Sequence, residues 1–204
     1  MKRRDFLKFG AGKTAEAAAQ AFGGTLSAPG GNWLRPLFAV AEDDFLGACS
    51  RCDACIEACP HGVLFPLPAR LGTAVAGTPA MDLLNRGCHL CADWPCARAC
   101  TDGALGPPDP DTNGSFARVV LARAWIDTDA CLPYAGPECG ACASSCPVPG
   151  ALHWLDGTKP VIDPQVCTGC ALCREACIVE PKAVRLAAPP PNPSPSPSPP
   201  SRRS

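Results

Sequence analysis

The chain has 204 residues, a formal net charge of −1 and only 6% aromatic residues. That length suits one or two small domains, and the near-neutral charge gives no sign of nucleic-acid binding. A core of large side chains would be thin, whereas the sixteen cysteines far exceed ordinary usage. We therefore expect something bound to the cysteines to supply the missing stability.

Residues 1–41 are predicted to form an export leader. The segment RRDFLK at residues 3–8 resembles the twin-arginine signal, and an Ala- and Gly-rich stretch follows it over residues 9–28. Lys13 and Glu16 interrupt that stretch, so it does not suit a transmembrane helix, which needs about 20 largely apolar residues. Export by this route would place the protein in the periplasm, free or associated with the membrane; the cytoplasm is the alternative.

Residues 42–186 contain four cysteine motifs that together use every cysteine. They are motif 1 (Cys49, Cys52, Cys55, Cys59), motif 2 (Cys88, Cys91, Cys96, Cys100), motif 3 (Cys131, Cys139, Cys142, Cys146) and motif 4 (Cys167, Cys170, Cys173, Cys177). A turn and an apolar step follow each motif, reading HGVL, DGAL, PGAL and PKAV in turn. This frame predicts a duplicated, loop-rich α+β unit: short strand, cysteine loop, helical turn, second strand.

The spacing of the cysteines favours cubane iron–sulfur clusters over zinc or disulfides. A zinc site usually combines two cysteine pairs from separate loops. In motifs 1 and 4, three cysteines instead recur at every third residue and a fourth follows four residues later, which is the bacterial ferredoxin pattern for [4Fe–4S] clusters. Four motifs with four cysteines each predict four clusters. Metal loading in the cytosol, before export of the folded protein, would protect these thiols from oxidation.

Other polar residues near the motifs do not suggest a catalytic site. Three histidines are interpreted as spacers beside the clusters rather than ligands: His61, His89 and His153. Four acidic residues are interpreted as solvated residues of the cysteine loops: Asp53, Glu57, Asp93 and Glu175. Trp94 is predicted to shield a cluster edge. With no nucleophile constellation, phosphate loop or paired carboxylates, we predict an electron carrier rather than an enzyme, with no small-molecule substrate.

Residues 187–204 read AAPPPNPSPSPSPPSRRS. Alternating Pro and Ser can form neither helix nor sheet, because Pro lacks the backbone donor that both require. We predict a disordered, polyproline-like tail.

From Arg3 to Leu186 the sequence resembles the NapG/MauM group of ferredoxin-type proteins. The resemblance rests on the phrases LRPLFAVAEDDFLGACSRCDACIEACP, CADWPCARAC, CLPYAGPECGAC and CTGCALCREACIVEPKAVRL. It implies two ferredoxin-like modules, each with two [4Fe–4S] clusters, in a periplasmic carrier. It also implies that electrons come from a membrane ferredoxin-type protein that oxidises quinol. They would pass to a periplasmic reductase of nitrate-reductase type or its cytochrome, or serve methylamine dehydrogenase formation.

The resemblance to four-cluster electron-transfer subunits further implies a nested pairing of motifs, 1 with 4 and 2 with 3. In a two-cluster unit each motif gives three cysteines to its own cluster and the fourth to its partner's. The implied ligand sets are Cys49, Cys52, Cys55 with Cys177; Cys167, Cys170, Cys173 with Cys59; Cys88, Cys91, Cys96 with Cys146; and Cys131, Cys139, Cys142 with Cys100. Sequential pairing, 1 with 2 and 3 with 4, is the alternative.

Two other function classes stay open from the sequence. One is a cytosolic maturation protein of the related NapF kind, which would load or guard the catalytic subunit of a reductase. The other is an electron-transfer subunit held permanently within a larger molybdenum oxidoreductase. An adjacent gene for a membrane ferredoxin-type protein would favour the carrier.

Overall fold

The computed structural model describes residues 33–106 and 120–188. Its helices are α1 (Glu42–Ala48), α2 (Ala54–Glu57), α3 (Pro95–Arg98), α4 (Leu132–Ala135) and α5 (Leu172–Glu175), with a 3-10 helix at Ala69–Leu71. Its strands are β1 (Leu64–Pro66), β2 (Pro79–Met81), β3 (Arg123–Ile126), β4 (Leu152–Leu155), β5 (Lys159–Ile162) and β6 (Val184–Ala187). Few helices, short strands and long loops agree with the predicted loop-rich α+β class.

The C-terminal half, residues 120–188, joins motifs 3 and 4 through two antiparallel sheets. Strand β3 precedes motif 3 and pairs with β6, which follows motif 4. Strand β4 follows motif 3 and pairs with β5, which precedes motif 4. The backbone on both sides of one motif is therefore hydrogen-bonded to the backbone on both sides of the other.

The N-terminal half, residues 33–106, joins motifs 1 and 2 in the same order. Strand β1 follows motif 1 and pairs antiparallel with β2, which precedes motif 2. On the outer side, Ala39 before motif 1 forms a single bridge with Leu105 after motif 2. A second bridge links Leu34 to Met81 at the end of β2. Residues 34–39 thus occupy the place that β3 takes in the C-terminal half.

The apolar step after each motif makes the same hydrogen bond in all four cases. The carbonyl oxygen of its third residue accepts a backbone N–H from the segment before the partner motif. The pairs, donor first, are Val40 and Ala104 (3.2 Å), Asp82 and Val63 (2.9 Å), Asp127 and Ala183 (2.8 Å), and Asp163 and Ala151 (2.9 Å). The four accepting residues are all buried. The step therefore fixes where each cysteine loop leaves the core.

Residues 33–41, which the sequence prediction assigned to the leader, pack with the folded N-terminal half. Leu34 and Leu37 are 6% and 7% exposed and pack in the same core as Phe45. Arg35 makes a two-pronged ion pair with Glu42, with N–O distances of 2.6 and 2.9 Å. Cleavage after residue 41 would remove the side chains of Leu34, Arg35 and Leu37. The predicted signal at residues 3–8 lies outside the described residues.

One core cluster contains buried side chains from both halves, from Leu34 to Leu186. Ala187, the first residue of the predicted tail, pairs with Arg123 in the β3–β6 sheet; residues 189–204 lie outside the described part. Within the described ranges, no helix has the length and apolar character needed to cross a membrane.

Candidate metal centre

The structure gathers the sixteen cysteines into four sites, each with three cysteines of one motif and the last cysteine of a neighbouring motif. They are site A (Cys49, Cys52, Cys55, Cys100), site B (Cys59, Cys88, Cys91, Cys96), site C (Cys146, Cys167, Cys170, Cys173) and site D (Cys131, Cys139, Cys142, Cys177). At each of sites A, C and D, the four cysteines line one small cavity.

The cysteines of site B are recognised as neighbours by the effects of their thiols on one another's pKa. Burial raises the pKa of Cys96, and the nearby Cys59 and Cys91 raise it further. Burial also raises the pKa of Cys88 to about 12, with Cys96 and Cys91 adding to the shift. Cys59, the last cysteine of motif 1, therefore lies among the first three cysteines of motif 2.

The nested grouping of the cysteines is wrong for this structure, and the sequential alternative describes it. Cys100 joins the first three cysteines of motif 1, where nesting expected Cys177. Cys177 instead joins the first three cysteines of motif 3. The physical reason is the sheet pairing: the strands around motif 1 pair with those around motif 2, and the same holds for motifs 3 and 4.

The same thiols are unfavourable places for uncompensated negative charge. Burial raises the pKa of Cys55 to about 11, and the neighbouring Cys49 and Cys100 raise it too. Burial raises the pKa of Cys142 to about 11, with Cys131 and Cys177 adding to it. Four thiolates at one site therefore require positive charge between them, which bound metal supplies.

The cysteine loops of three motifs contain residues in the left-handed backbone region. The second cysteine of motif 1 lies between Arg51 (φ 62°) and Asp53 (φ 61°), and that of motif 4 lies between Gly169 and Ala171 (both φ 69°); Leu90 (φ 50°) precedes that of motif 2. For residues other than glycine this conformation costs of order 1–3 kcal/mol, and it is typical of loops that clamp a ligand. The sharp curl lets closely spaced cysteines face one cavity.

Backbone N–H groups point at several of the sulfurs. The Gly169 N–H donates to Cys167 Sγ at 3.3 Å. Burial raises the pKa of Cys88 and Cys170, and the N–H groups of Leu90 and Leu172 oppose that shift. Such donors stabilise the thiolate form, and in iron–sulfur proteins hydrogen bonds to sulfur help to set the reduction potential.

Neither disulfides nor a site for a single ion is found among these residues. All sixteen cysteines lie in the described part of the chain, and each is a free thiol. Within residues 33–106 and 120–188, no three His, Cys, Asp or Glu side chains form a group that could hold one metal ion. At sites A, C and D the four cysteines instead line a shared cavity.

Curated relatives of the chain are ferredoxin-type proteins. It is 35% identical over 167 residues to the methylamine utilization ferredoxin-type protein MauM of Methylobacillus flagellatus, covering 78% of this chain and 70% of that protein. It is 30% identical over 194 residues to the ferredoxin-type protein NapG of Escherichia coli, covering 90% and 82%. The chain belongs to the MauM/NapG family of ferredoxin-type proteins. The ferredoxin-type protein NapF of Escherichia coli is also related, at 33% identity over 156 residues.

No family model and no solved structure matches the chain. Family membership therefore rests on the ferredoxin-type relatives, and the geometry of the sites rests on this structure. Together with the sixteen cysteines, membership supports an iron–sulfur, electron-transfer role for this MauM/NapG protein.

The residues predicted to lie beside the sites have mixed positions in this ferredoxin-type fold. His61 and His89 stack on each other with ring centroids 3.5 Å apart, and His153 lies in β4 opposite Val161. Trp94 is 9% exposed and packs edge-on against Phe38, 5.0 Å between centroids. Trp94 is therefore part of the core of the N-terminal half and does not lie on an outer face.

The four acidic residues of the loops are exposed as expected, but one of them makes a specific contact. Asp53, Glu57 and Asp93 are exposed on the cysteine loops. Glu175 is also exposed, yet its Oε2 accepts the backbone N–H of Gly87 from the other half, at 2.7 Å. Sequence analysis missed this contact because the partner is a backbone group 88 positions away.

Proposed function

We propose that the chain is an electron carrier that holds four [4Fe–4S] clusters, one in each of sites A to D. One observation carries the proposal: every site has three cysteines from one motif and a fourth from the partner motif, as in two-cluster ferredoxins. Sites A and B would form an N-terminal two-cluster module, and sites C and D a C-terminal one.

The donor set fits that cofactor. A cubane cluster needs four thiolates around one body, and at sites A, C and D four cysteines line one shared cavity. When bound, the cluster supplies one-electron redox chemistry with little change of geometry. The chain would hold the sulfurs in place, donate backbone N–H groups to them, and bury cysteines such as Cys55, Cys131, Cys170 and Cys173.

The names of the relatives, which refer to methylamine utilization and to Nap proteins, support a role in systems of this kind. We propose that the protein takes electrons from a membrane ferredoxin-type protein that oxidises quinol. It would deliver them to a periplasmic reductase of nitrate-reductase type or its cytochrome, or act in methylamine dehydrogenase formation. No substrate pocket is required for this role.

Iron and sulfide analysis of anaerobically purified protein tests the proposal. We expect about sixteen irons and a matching amount of acid-labile sulfide per chain, with cubane-type EPR signals on reduction. The control is the Cys52→Ser variant, which removes one site A thiol and should lower the iron content toward about twelve. Stoichiometric zinc with little sulfide would falsify the proposal.

A cytosolic maturation protein is the second candidate, supported by the relationship to NapF over 72% of the chain. Replacing Arg3 and Arg4 by Lys separates the two candidates, since a twin-arginine signal depends on the pair. For an exported carrier, the wild type should appear in the periplasmic fraction and the variant, still loaded with iron, in the cytosol. Wild-type protein confined to the cytosol would favour the maturation role.

A further inference from the structure

One of the contacts between the two halves joins a cysteine of site B directly to a cysteine of site C. The backbone N–H of Cys88 donates to the carbonyl oxygen of Cys170 at 2.7 Å. Cys170 is also among the neighbours that add to the effect of burial in raising the pKa of Cys88. This hydrogen bond directly joins two cysteines that belong to different halves.

Gly87 allows this contact because a side chain at position 87 would collide with α5. A Cβ atom there would lie 2.6 Å from Leu172 Cδ2 and 2.7 Å from Leu172 Cα. The Cα belongs to the backbone of α5, so it cannot turn away as a flexible side chain would. Any larger residue at position 87 must therefore push the loop of motif 2 away from the C-terminal half.

Two charged side chains of α5 also contact the backbone that precedes motif 2. Glu175 Oε2 accepts the Gly87 N–H at 2.7 Å. Arg174 Nε donates to the Leu84 carbonyl at 2.9 Å, and its Nη1 donates to the Val184 carbonyl within its own half. Helix α5 thus binds the backbone immediately before Cys88, while its own cysteine, Cys173, belongs to site C.

The sites therefore have a spatial order. Sites A and B are linked through α2, because Cys55 and Cys59 of one motif belong to the two sites. Sites C and D are linked in the same way through α5, because Cys173 and Cys177 of one motif belong to the two sites. Sites B and C meet at the junction of Cys88 and Cys170. The order is A, B, C, D.

We propose that Gly87 and Glu175 are positioning residues that hold sites B and C together, so that electrons cross between the halves there and partners exchange electrons at sites A and D. This rests on the proposed function. One electron moves at each crossing and no bond forms or breaks; the donor side is oxidised by one electron and the acceptor side is reduced by one. A reducing protein partner at one outer site and an oxidising one at the other balance the transfer.

Hydrogen exchange in the iron-loaded full chain tests the junction directly. The Gly87→Ala variant should keep about sixteen irons, whereas the amides of residues 87 and 88 should exchange at least about tenfold faster, as expected for the loss of a hydrogen bond. Gly47→Ala is the matched control, because a Cβ at Gly47 meets nothing within 4 Å. Unchanged exchange at residues 87 and 88 in Gly87→Ala would overturn the positioning role.

EPR in a Cys100→Ser/Cys177→Ser background tests the order of the sites. Only sites B and C keep four cysteines there, so we expect about eight irons, and after reduction with dithionite a magnetic interaction between two clusters. Adding Gly87→Ala should abolish that interaction at unchanged iron content. Glu175→Ala should weaken it, whereas Glu175→Gln, which keeps an oxygen acceptor, should preserve it.

The outcomes distinguish the two proposals. Two results would overturn the junction and leave the clusters in place. One is about eight irons without any magnetic interaction in the Cys100→Ser/Cys177→Ser background. The other is a magnetic interaction that survives both Gly87→Ala and Glu175→Ala. Protein with no iron and sulfide would overturn the proposed function itself. If Gly87→Ala does not fold, the comparison of Glu175→Ala with Glu175→Gln decides, because Glu175 is exposed and its substitution does not crowd the core.

Discussion

The two halves share one order of strand pairing but differ in what stabilises them. The N-terminal half contributes ten large apolar side chains to the shared core: Leu34, Leu37, Phe45, Val63, Leu64, Met81, Leu83, Leu90, Trp94 and Leu105. Within the described residues of the C-terminal half, that core gains Leu121, Val148 and Leu186 together with Ala and Cys side chains. The N-terminal half therefore supplies most of the large side chains of the shared core, and we expect the C-terminal half to depend more on what its sites bind.

Removal of the bound metal is expected to have the largest effect on this difference. Metal binding and folding are coupled where ligands form much of the interior, so chelation of iron should raise amide exchange across residues 120–188 nearly to that of an unfolded chain. Residues 34–39 and the β1–β2 sheet should keep part of their protection, because buried side chains hold them. Equal loss of protection in both halves would contradict the comparison.

Loss of a single thiol should affect only the half that contains its site. Cys100→Ser removes a site A thiol and Cys177→Ser removes a site D thiol, so each should lower iron from about sixteen toward about twelve. Hydrogen exchange should then rise around residues 49–55 in the first variant and around residues 131–142 in the second. The reverse pattern would restore the nested pairing that the structure contradicts.

The sequence predicts the four motifs and the loop-rich class because cysteine spacing is a local property. It does not predict which motifs pair, because that depends on strands such as β2 and β5, which are three and four residues long and carry weak patterns. Motifs 1 and 4 share the same cysteine spacing, but their flanking strands pair with those of motifs 2 and 3 respectively.

Two further features escaped the sequence because they depend on long-range geometry. The sequence prediction assigned residues 33–41 to the leader, whereas the bridge of Ala39 to Leu105 joins this segment to the N-terminal half. Gly87 carries no turn signal either; it is required by the approach of Leu172 from the other half. Such a glycine can be recognised only when both backbones are known.

Leu34 offers a smaller and more local test of the difference between halves. Leu34→Ala should lower the free energy of unfolding of the iron-loaded protein by about 2–4 kcal/mol, because it leaves a cavity at a residue that is 6% exposed. Leu155→Ala in the C-terminal half is the control: Leu155 is 52% exposed, so the change should stay within about 0.5 kcal/mol. Denaturant unfolding under anaerobic conditions measures both. A larger effect at Leu155 would mean that the C-terminal half has packing not seen here.

The smallest expected effect concerns the ion pair of Arg35 and Glu42, which fastens residues 33–41 to α1. Hydrogen bonding from Arg35 holds the pKa of Glu42 below its ordinary value of 4.5, although burial opposes this. A depressed folded-state pKa means that the stabilisation is complete above about pH 4.5 and is lost as the pH falls through the lower, folded value. At pH 7, Glu42→Gln should therefore unfold at lower urea concentration, with a loss of about 1 kcal/mol for a half-buried pair. The gap between the two proteins should shrink steadily below pH 4.5, as wild-type Glu42 takes up its proton. Wild type and variant are compared at the same pH and at equal iron content, so that any acid lability of the sites affects both proteins equally. A gap that stays constant from pH 7 to pH 3 would show that the carboxylate of Glu42 does not stabilise this segment through its charge.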